Sequence, residues 1–413
     1  MNRISVFRVW WMGAFLYLSS AFYLLFQGGK TSLMLFVMLN ALALYLLLGR
    51  WSGIGGVQGT RSLGADDAQM PVLSAGMRLK VRLRMHVPGF WPVPYIIVRD
   101  TLERPSSQES QIYELSFVPD YRRRGEVTYE TAPLRRGRYR FQTTECSTRD
   151  IFGLFEHQGK FTEEKELLVY PRKVEVRDWQ MLRRTQRGVF QQTFTSLWAR
   201  ETTQIDGVRE YIHGDRLSRI HWNATAKTGQ WKSKEFEREA LPRFVILLDC
   251  SAASYRSADT FELAVSAAAS LLDLIVQRGM PLGFVSSGSN AAWFGTDRAP
   301  VSRDDILRHL VEVEADGRQP LSEWICETAE RFEPGVQVVV ISPLADEQTS
   351  QAFEALEAKR MAPCLLHISE PVPTDEQSRR LRQWQQFSRA KQWDFSSVAR
   401  LEDLPRALGV GSA

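Results

Sequence analysis

The chain has 413 residues, 24% of them charged, and a formal net charge of +4, which leaves room for two or three domains at roughly 100 to 200 residues each. So small a positive surplus, with no RNP, zinc-finger or KH pattern, argues against nucleic acid as a partner. The cysteines, Cys146, Cys250, Cys326 and Cys364, are widely spaced without a C-x-x-C pair, and three lie in apolar runs, as expected of small buried hydrophobes in a reducing compartment.

Residues 9–26 are almost wholly apolar, and residues 33–48 repeat the pattern after a short loop at 27–32. Residues 1–52 therefore predict a two-helix transmembrane hairpin, each arm near the lower length limit for crossing the hydrocarbon. Trp10, Trp11 and Trp51 fall at the span ends, where amphipathic rings favour the headgroup layer, and Arg8 can snorkel outward instead of facing roughly 2.5 to 3.5 kcal/mol at the bilayer centre. A cleaved signal peptide fits less well, because the apolar run is long, no A-x-A site follows it and a second run comes directly after. Arg3, Arg8 and Arg50 flank the outer ends while only Lys30 lies in the loop. That bias predicts a multi-pass protein of the inner (cytoplasmic) membrane with its soluble domains in the cytoplasm. Gly29-Lys30-Thr31 imitates the end of a phosphate-binding loop, but Leu24 stands where the first glycine is required, so the segment reads as a membrane turn.

Residues 70–171 predict an all-β domain. From 77 to 87 the chain alternates, with Met77, Leu79, Val81, Leu83, Met85 and Val87 on one face and Arg78, Lys80, Arg82, Arg84 and His86 on the other, the mark of a half-buried strand. Further short runs around Ile96, 113–118, 127–129, 139–143 and 167–170 are split by Pro or Gly turns, which suits an immunoglobulin-like sandwich. Its basic clusters, on the outer face of the 77–87 strand, at 122–124, and at Arg135, Arg136, Arg138 and Arg140, could meet anionic lipid headgroups, each cation near that surface contributing about 1 kcal/mol. The plainer alternative is a solvated polar face.

Residues 172–240 form a connector and a second, denser segment. Up to Asp206 periodicity is weak, with isolated aromatics at Trp179, Phe190, Phe194 and Trp198. From Arg209 to Glu237 charge and aromatics crowd together. Asp215 stands where an N-cap would open a short helix, with Arg219 four residues on and within reach for pairing. In a structural role, Ile220 and Trp222 would pack against a domain while Gly214 and Gly229 supply turns. In a binding role, Arg209, Arg219 and Lys227 would form a basic surface for an acidic partner element, anchored by Tyr211 and Trp222. His213 and His221 could act as bases, yet no G-x-S-x-G elbow, H-E-x-x-H helix or Cys–His pair accompanies them.

Residues 241–413 predict a doubly wound α/β domain. An apolar run at 244–248 precedes a helix at about 259–277 striped by Phe261, Ala264, Val265, Ala268, Leu272 and Ile275. Strands near 282–285, 336–341 and 363–368 alternate with helices near 303–313, 321–332 and 347–359. Two amphipathic helices after 374, one carrying Leu381, Trp384 and Phe387 and one at 401–408, are expected over the last sheet edge. The first strand ends in Asp249-Cys250-Ser251-Ala252-Ala253, which resembles the D-x-S-x-S start of the metal-ion-dependent adhesion site of von Willebrand A domains. The second serine is Ala253, the later threonine is replaced by Gln319, and the T-D-G aspartate by Ser342-Pro343. Asp249 and Ser251 remain as metal candidates, with Ser254 a substitute, a set too poor for the near-octahedral oxygen cage magnesium demands.

The run R-E-Y, G-D, R-x-I-x-W, A-x-x-G and K-E-x-E, carried by Arg209, Glu210, Tyr211, Gly214, Asp215, Arg219, Ile220, Trp222, Ala226, Gly229, Lys234, Glu235 and Glu237, resembles the signature of bacterial domain-of-unknown-function family 58 (DUF58). The likeness extends to R-G-x-Y at 136–139 and R-D-x-F-G-L-F at 149–155. It implies two membrane spans, a β domain, a von Willebrand A-like end and association with MoxR-type AAA+ ATPases. The reading that follows is a non-enzymatic, membrane-anchored interaction or scaffold protein serving complex assembly or envelope maintenance, with no cofactor. Its partner-binding residues would be Arg209, Tyr211, Gly214, Asp215, Arg219, Trp222 and Lys227. Rival readings are a metal-dependent adhesion module centred on Asp249 and Ser251, and an envelope enzyme using His213 or His221.

Overall fold

A computed structural model describes residues 3–49, 52–64, 72–107, 109–151, 153, 155–182, 200–213, 216–239, 243–295, 302–372 and 374–409. The chain divides into two compact units, Met1–Tyr170 and Pro171–Ala413.

The first unit opens with helices α1 (Arg3–Gln27) and α2 (Lys30–Gly49). The loop expected at 27–32 shrinks to Gly28 and Gly29, whose φ of 58° and 97° lie in the left-handed region that glycine enters without steric penalty. Ser32 Oγ donates to the carbonyls of both, at 2.8 and 2.9 Å, so this polar side chain closes the turn. The Tyr17 hydroxyl donates to Asn40 Oδ1 at 3.3 Å and its ring lies 5.7 Å from Phe36, joining the two helices. Among the described residues, the stretch Lys30–Gly56 is long and apolar enough to cross a membrane.

A short 3-10 turn (Ile54–Gly56) leads to ten strands: β1 (Gln58–Leu63), β2 (Leu73–Ser74), β3 (Lys80–His86), β4 (Ile96–Arg104), β5 (Glu109–Phe117), β6 (Arg124–Glu130), β7 (Gly137–Phe141), β8 (Thr144–Arg149), β9 (Glu156–Phe161) and β10 (Glu166–Tyr170). One sheet runs β1-β3-β6; the other runs β2-β10-β7-β4-β8-β9 with β5 on the free side of β4. Only the β10–β2 pair is parallel among the described pairings here. Both sheets feed one core: Val81, Leu83 and Met85 from β3 meet Ile96, Val98 and Leu102 from β4, with Phe141 and Val169.

The expected alternation holds from Leu79 to Val87, but Met77 is half exposed and outside the strand. It sits in a turn, its N–H bonded to the Ser74 carbonyl at 3.1 Å beside Gly76 at φ 90°. β1 lies ahead of the boundary expected at residue 70. Its Arg61 is fully buried and donates to Asp100 at 2.7 Å and Thr144 at 2.9 Å, its guanidinium stacked 4.1 Å over Phe141, while the Tyr129 hydroxyl takes the second Asp100 oxygen at 2.6 Å. Several cations of the basic clusters are engaged within the unit. Arg82 and Arg84 both reach Glu126, Arg138 pairs with Glu166 and Arg140 with Glu164. Arg136 is buried, and Arg123 donates to the carbonyls of Ser52, Val87, Pro88 and Trp91.

In the second unit, residues 172–182, expected as connector, are core: Val176, Trp179, Met181 and Leu182 are buried, and Trp179 lies 5.9 Å from Phe244. Lys173 and Arg303 share Asp273, each at 2.7 Å. Phe190, Phe194 and Trp198 fall outside the described residues. β11 (Arg200–Glu210) and β12 (Lys232–Glu239) pair antiparallel and enclose helix α3 (Trp222–Thr228). The sheet that follows contains β13 (Phe244–Leu248), β14 (Leu282–Ser286), β15 (Trp293–Phe294), β16 (Gln337–Ser342), β17 (Ala362–Ile368) and β18 (Asp394–Val398) in the order β15-β14-β13-β16-β17-β18. It is parallel except for β15. Helices α4 (Ala258–Gln277), α5 (Arg303–Glu312), α6 (Leu321–Ala329), α7 (Glu347–Ala358), α8 (Asp375–Lys391) and α9 (Leu404–Gly409) complete it.

Val245 and Leu247 on one face of β13 join Trp324, Phe353 and Trp384. Phe244, Ile246 and Leu248, which alternation puts on the other face, are as deeply buried. A sheet covered on both faces explains why its central strands read as uninterrupted apolar runs. α4 begins at Ser257, whose hydroxyl caps the Thr260 N–H at 3.2 Å, and buries the whole expected stripe. The last edge differs from expectation: before α9 comes β18, a further parallel strand beside β17, and α6 stops at Ala329 instead of 332.

Candidate functional site

The family-like signature folds as an arm. β11 and β12 hold its ends in register from Arg209↔Ser233 to Glu210↔Lys232. The Tyr211 N–H donates to the Trp231 carbonyl at 3.0 Å, and the His221 N–H to that of Lys232 at 2.8 Å. A 3-10 turn at Leu217–Arg219 precedes Ile220, which bridges Ser233 and is 1% exposed. Ile220 is thus the apolar pin, the role in which Trp222 was also expected. Trp222 instead is 63% exposed, as the first residue of α3. α3 is capped by His221, whose Nδ1 accepts from the Ala224 N–H at 3.1 Å, and ends on Gly229 at φ 68°.

Asp215, expected as a cap, lies with Gly214 outside the described residues; the 217–219 turn has Arg216 as its N-cap, without a side-chain bond. His221 Nδ1 thus takes up a backbone N–H at the helix start. His213 is exposed.

The arm also carries an aromatic cluster and exposed apolar side chains. The Tyr211 and Trp222 rings lie 5.7 and 6.1 Å from Trp231, and Val208, Ile212, Leu217, Trp222 and Trp231 are each 43% exposed or more. Of the other expected partner-binding residues, Arg209 donates to the Glu210 carbonyl at 2.9 Å, Arg219 is half-buried on the turn, and Lys227 is exposed on the last turn of α3. Lys232 pairs with Glu210 at 3.2 Å. Trp231, in ring contact with both Tyr211 and Trp222, was not singled out from sequence; the available signal was an aromatic two residues after the Gly229 helix stop.

The second candidate site is the carboxyl end of β13, where α/β sheets hold ligands. Asp249 is 1% exposed. Its Oδ1 accepts from the Ser251 N–H at 2.9 Å and its Oδ2 from the Ser342 hydroxyl at 2.7 Å. Burial pushes the carboxyl above the ordinary range, opposed by the Ser251 N–H and the Ser342 and Ser254 hydroxyls. Tyr255 donates to the Asp249 carbonyl at 2.7 Å, and Ser251 bridges Gly317. Gln319, in the place of a ligating threonine, turns away to Glu327 at 2.8 Å. Ser342, standing where the T-D-G aspartate would, therefore donates to Asp249 instead of offering a second carboxylate. This donor set does not fit a divalent ion.

Comparison with known proteins agrees with the signature. Residues 207–371 match the family described as protein of unknown function DUF58, a span that starts within β11 and ends past β17. The uncharacterized protein YeaD of Bacillus subtilis (strain 168) is 29% identical over 332 residues, covering 79% of this chain and 80% of its own. Among solved structures, proximal thread matrix protein 1 from the mussel byssus shares 14% identity at a TM-score of 0.30, over 41% of this chain and 46% of that one. A von Willebrand factor type A protein from Catenulispora acidiphila shares 16% at 0.28, over 41% of each chain. The chain thus spans less than half the length of either solved neighbour. Residues 207–371 thus carry the likeness to the DUF58 family, and a relative of 29% identity aligns along most of the chain.

Proposed function

We propose that this protein is a membrane-anchored, non-enzymatic adaptor whose arm docks another protein. In this reading α1 and α2 span the inner membrane with both ends cytoplasmic, the β unit is an immunoglobulin-like spacer, and the α/β unit is a von Willebrand A-like body without its metal. The observation that carries it is the ring cluster of Tyr211, Trp222 and Trp231, with Trp222 63% and Trp231 52% exposed, next to the buried Ile220. Exposed aromatics grouped on one face, with arginine nearby, are the composition of interface centres.

Between Arg209 and Glu237 the cations are Arg209, Arg216, Arg219, Lys227, Lys232 and Lys234, against Glu210, Asp215, Glu235 and Glu237. That balance favours an acidic partner surface, which it would also steer in encounter. The family resemblance implies a MoxR-type AAA+ ATPase as that partner, in complex assembly or envelope maintenance. The rival readings have less support, because Asp249 and His221 are already hydrogen-bonded within the chain.

The test is capture of the ATPase by the detergent-solubilised full chain. Arg219→Glu and Trp222→Ala should each weaken capture about tenfold or more, the size of a hot-spot loss. Undiminished capture by both variants would refute the arm as the docking surface.

A further inference from the structure

The β unit does not hang loosely from α2. Gly53, at φ 74°, lies so close to Pro88 that an added Cβ would meet its carbonyl oxygen at 1.7 Å, and a Cβ on Gly159 would meet the Ile54 carbonyl oxygen at 1.8 Å. Arg123 binds the carbonyls of Ser52, Pro88 and Trp91 together. The joint between helix and sheet is therefore packed backbone against backbone, and it fixes which loops of the β unit lie beside the helix end.

Two such loops touch α2 itself. Tyr45 stands four residues before the last residue of α2, about 6 Å back along its axis. Its hydroxyl accepts from the Ile151 N–H at 3.4 Å, and its ring lies 5.6 Å from Trp91. Next to these contacts, Phe90 is 74% and Ile151 71% exposed. The Tyr17–Asn40 contact sets an antiparallel register that brings Trp11, 65% exposed, to about the same level.

We propose that the loop bearing Phe90 and Trp91 and the turn at Ile151 lie in the headgroup layer of the bilayer, beside the end of α2, and hold the β unit against the membrane. This rests on the reading that the hairpin spans. If α2 reaches the interface at its carboxyl end, whatever touches Tyr45 is at or inside that plane. Trp and Tyr prefer that layer, and an exposed Phe and Ile beside them would bury their apolar surface a few ångströms into it. Of the nearby ions, Arg149 is paired with Glu156 at 3.2 Å and the Asp150 carboxylate accepts from the Phe155 N–H. A second copy of the chain, or another protein, would cover the same side chains only by displacing lipid from the helix end.

The experiment uses the purified full chain in liposomes of phosphatidylethanolamine and phosphatidylglycerol, in a Cys326→Ser background. A nitroxide is attached in turn at Phe90→Cys, Ile151→Cys, Phe22→Cys on α1 and Tyr121→Cys, a residue 87% exposed on the β unit. Collision with oxygen, which concentrates in lipid, is read against collision with a water-soluble nickel chelate. The oxygen-to-nickel ratio at 90 and 151 is expected several-fold above that at 121 and below that at 22. A lipid-like value at 22 with water-like values at 90 and 151 would overturn this inference while leaving the span intact. A water-like value at 22 would overturn the span, and this inference with it. Protection of 90 from both reagents would mean a protein covers it, which also refutes lipid contact.

Discussion

His367 shows what burial does to one titratable group. It is 9% exposed on β17, with its Nδ1 3.1 Å from Ser397 Oγ, and burial lowers its pKa to about 4 despite a bond to the Pro343 backbone. The folded chain therefore keeps this ring neutral where the unfolded chain, near 6.5, begins to take a proton. The stability this contributes is full above pH 6.5 and is lost as pH falls toward 4, about 3 kcal/mol in all. Relative to a His367→Asn variant, the unfolding free energy of the parent should fall over that interval; a difference that stays constant from pH 7 to 4 would show that the ring is not held neutral. Other single residues resisted inference because their partners are distant in sequence. Arg61 looks like a surface arginine in the run Gln-Gly-Thr-Arg-Ser-Leu, and only the fold brings Asp100 and Thr144 to it. Asp249 and Ser251 could be found from their motif, whereas Ser342, 93 residues on, could be named as a missing ligand but not as the donor that takes its place.

At the scale of elements, periodicity decided what could be read. β3 alternates because one face is buried, and β13 and β16 are apolar throughout because both faces are. β1, β2, β8, β9, β11, β12, β15 and β18 went unseen: of these, β1 buries a charge, β2 and β15 are two residues long, and β18 is the half-exposed edge Asp-Phe-Ser-Ser-Val. The arm was legible as a motif but not as a surface, since nothing local tells Ile220, which is pinned under β12, from Trp222, which stands outside. The end of β13 supports a prediction of its own. With both Asp249 oxygens engaged by the chain, calorimetric titration of magnesium or manganese should give no micromolar binding that Asp249→Asn removes. A micromolar, Asp249-dependent signal would mean that the Ser342 hydroxyl yields to a cation.

Over the whole molecule, the signature arm and a largely parallel α/β sheet lie in one unit, and two apolar helices with their closely joined β sheets in the other. The sequence carried the two apolar helices through the length of their apolar runs, and the α/β unit through alternation of strands and helices. It did not show how firmly the β unit is joined to α2, because that joint is made by glycines whose neighbours are far along the chain. The adaptor account is tested most directly by a photo-crosslinking amino acid placed at Trp222 in the full chain, expressed in its native membranes, with the same probe at Val372, 87% exposed, as control. The account predicts one dominant adduct at 222, identified as an AAA+ ATPase and absent from 372. No adduct at 222, or the same adducts at both positions, would contradict it.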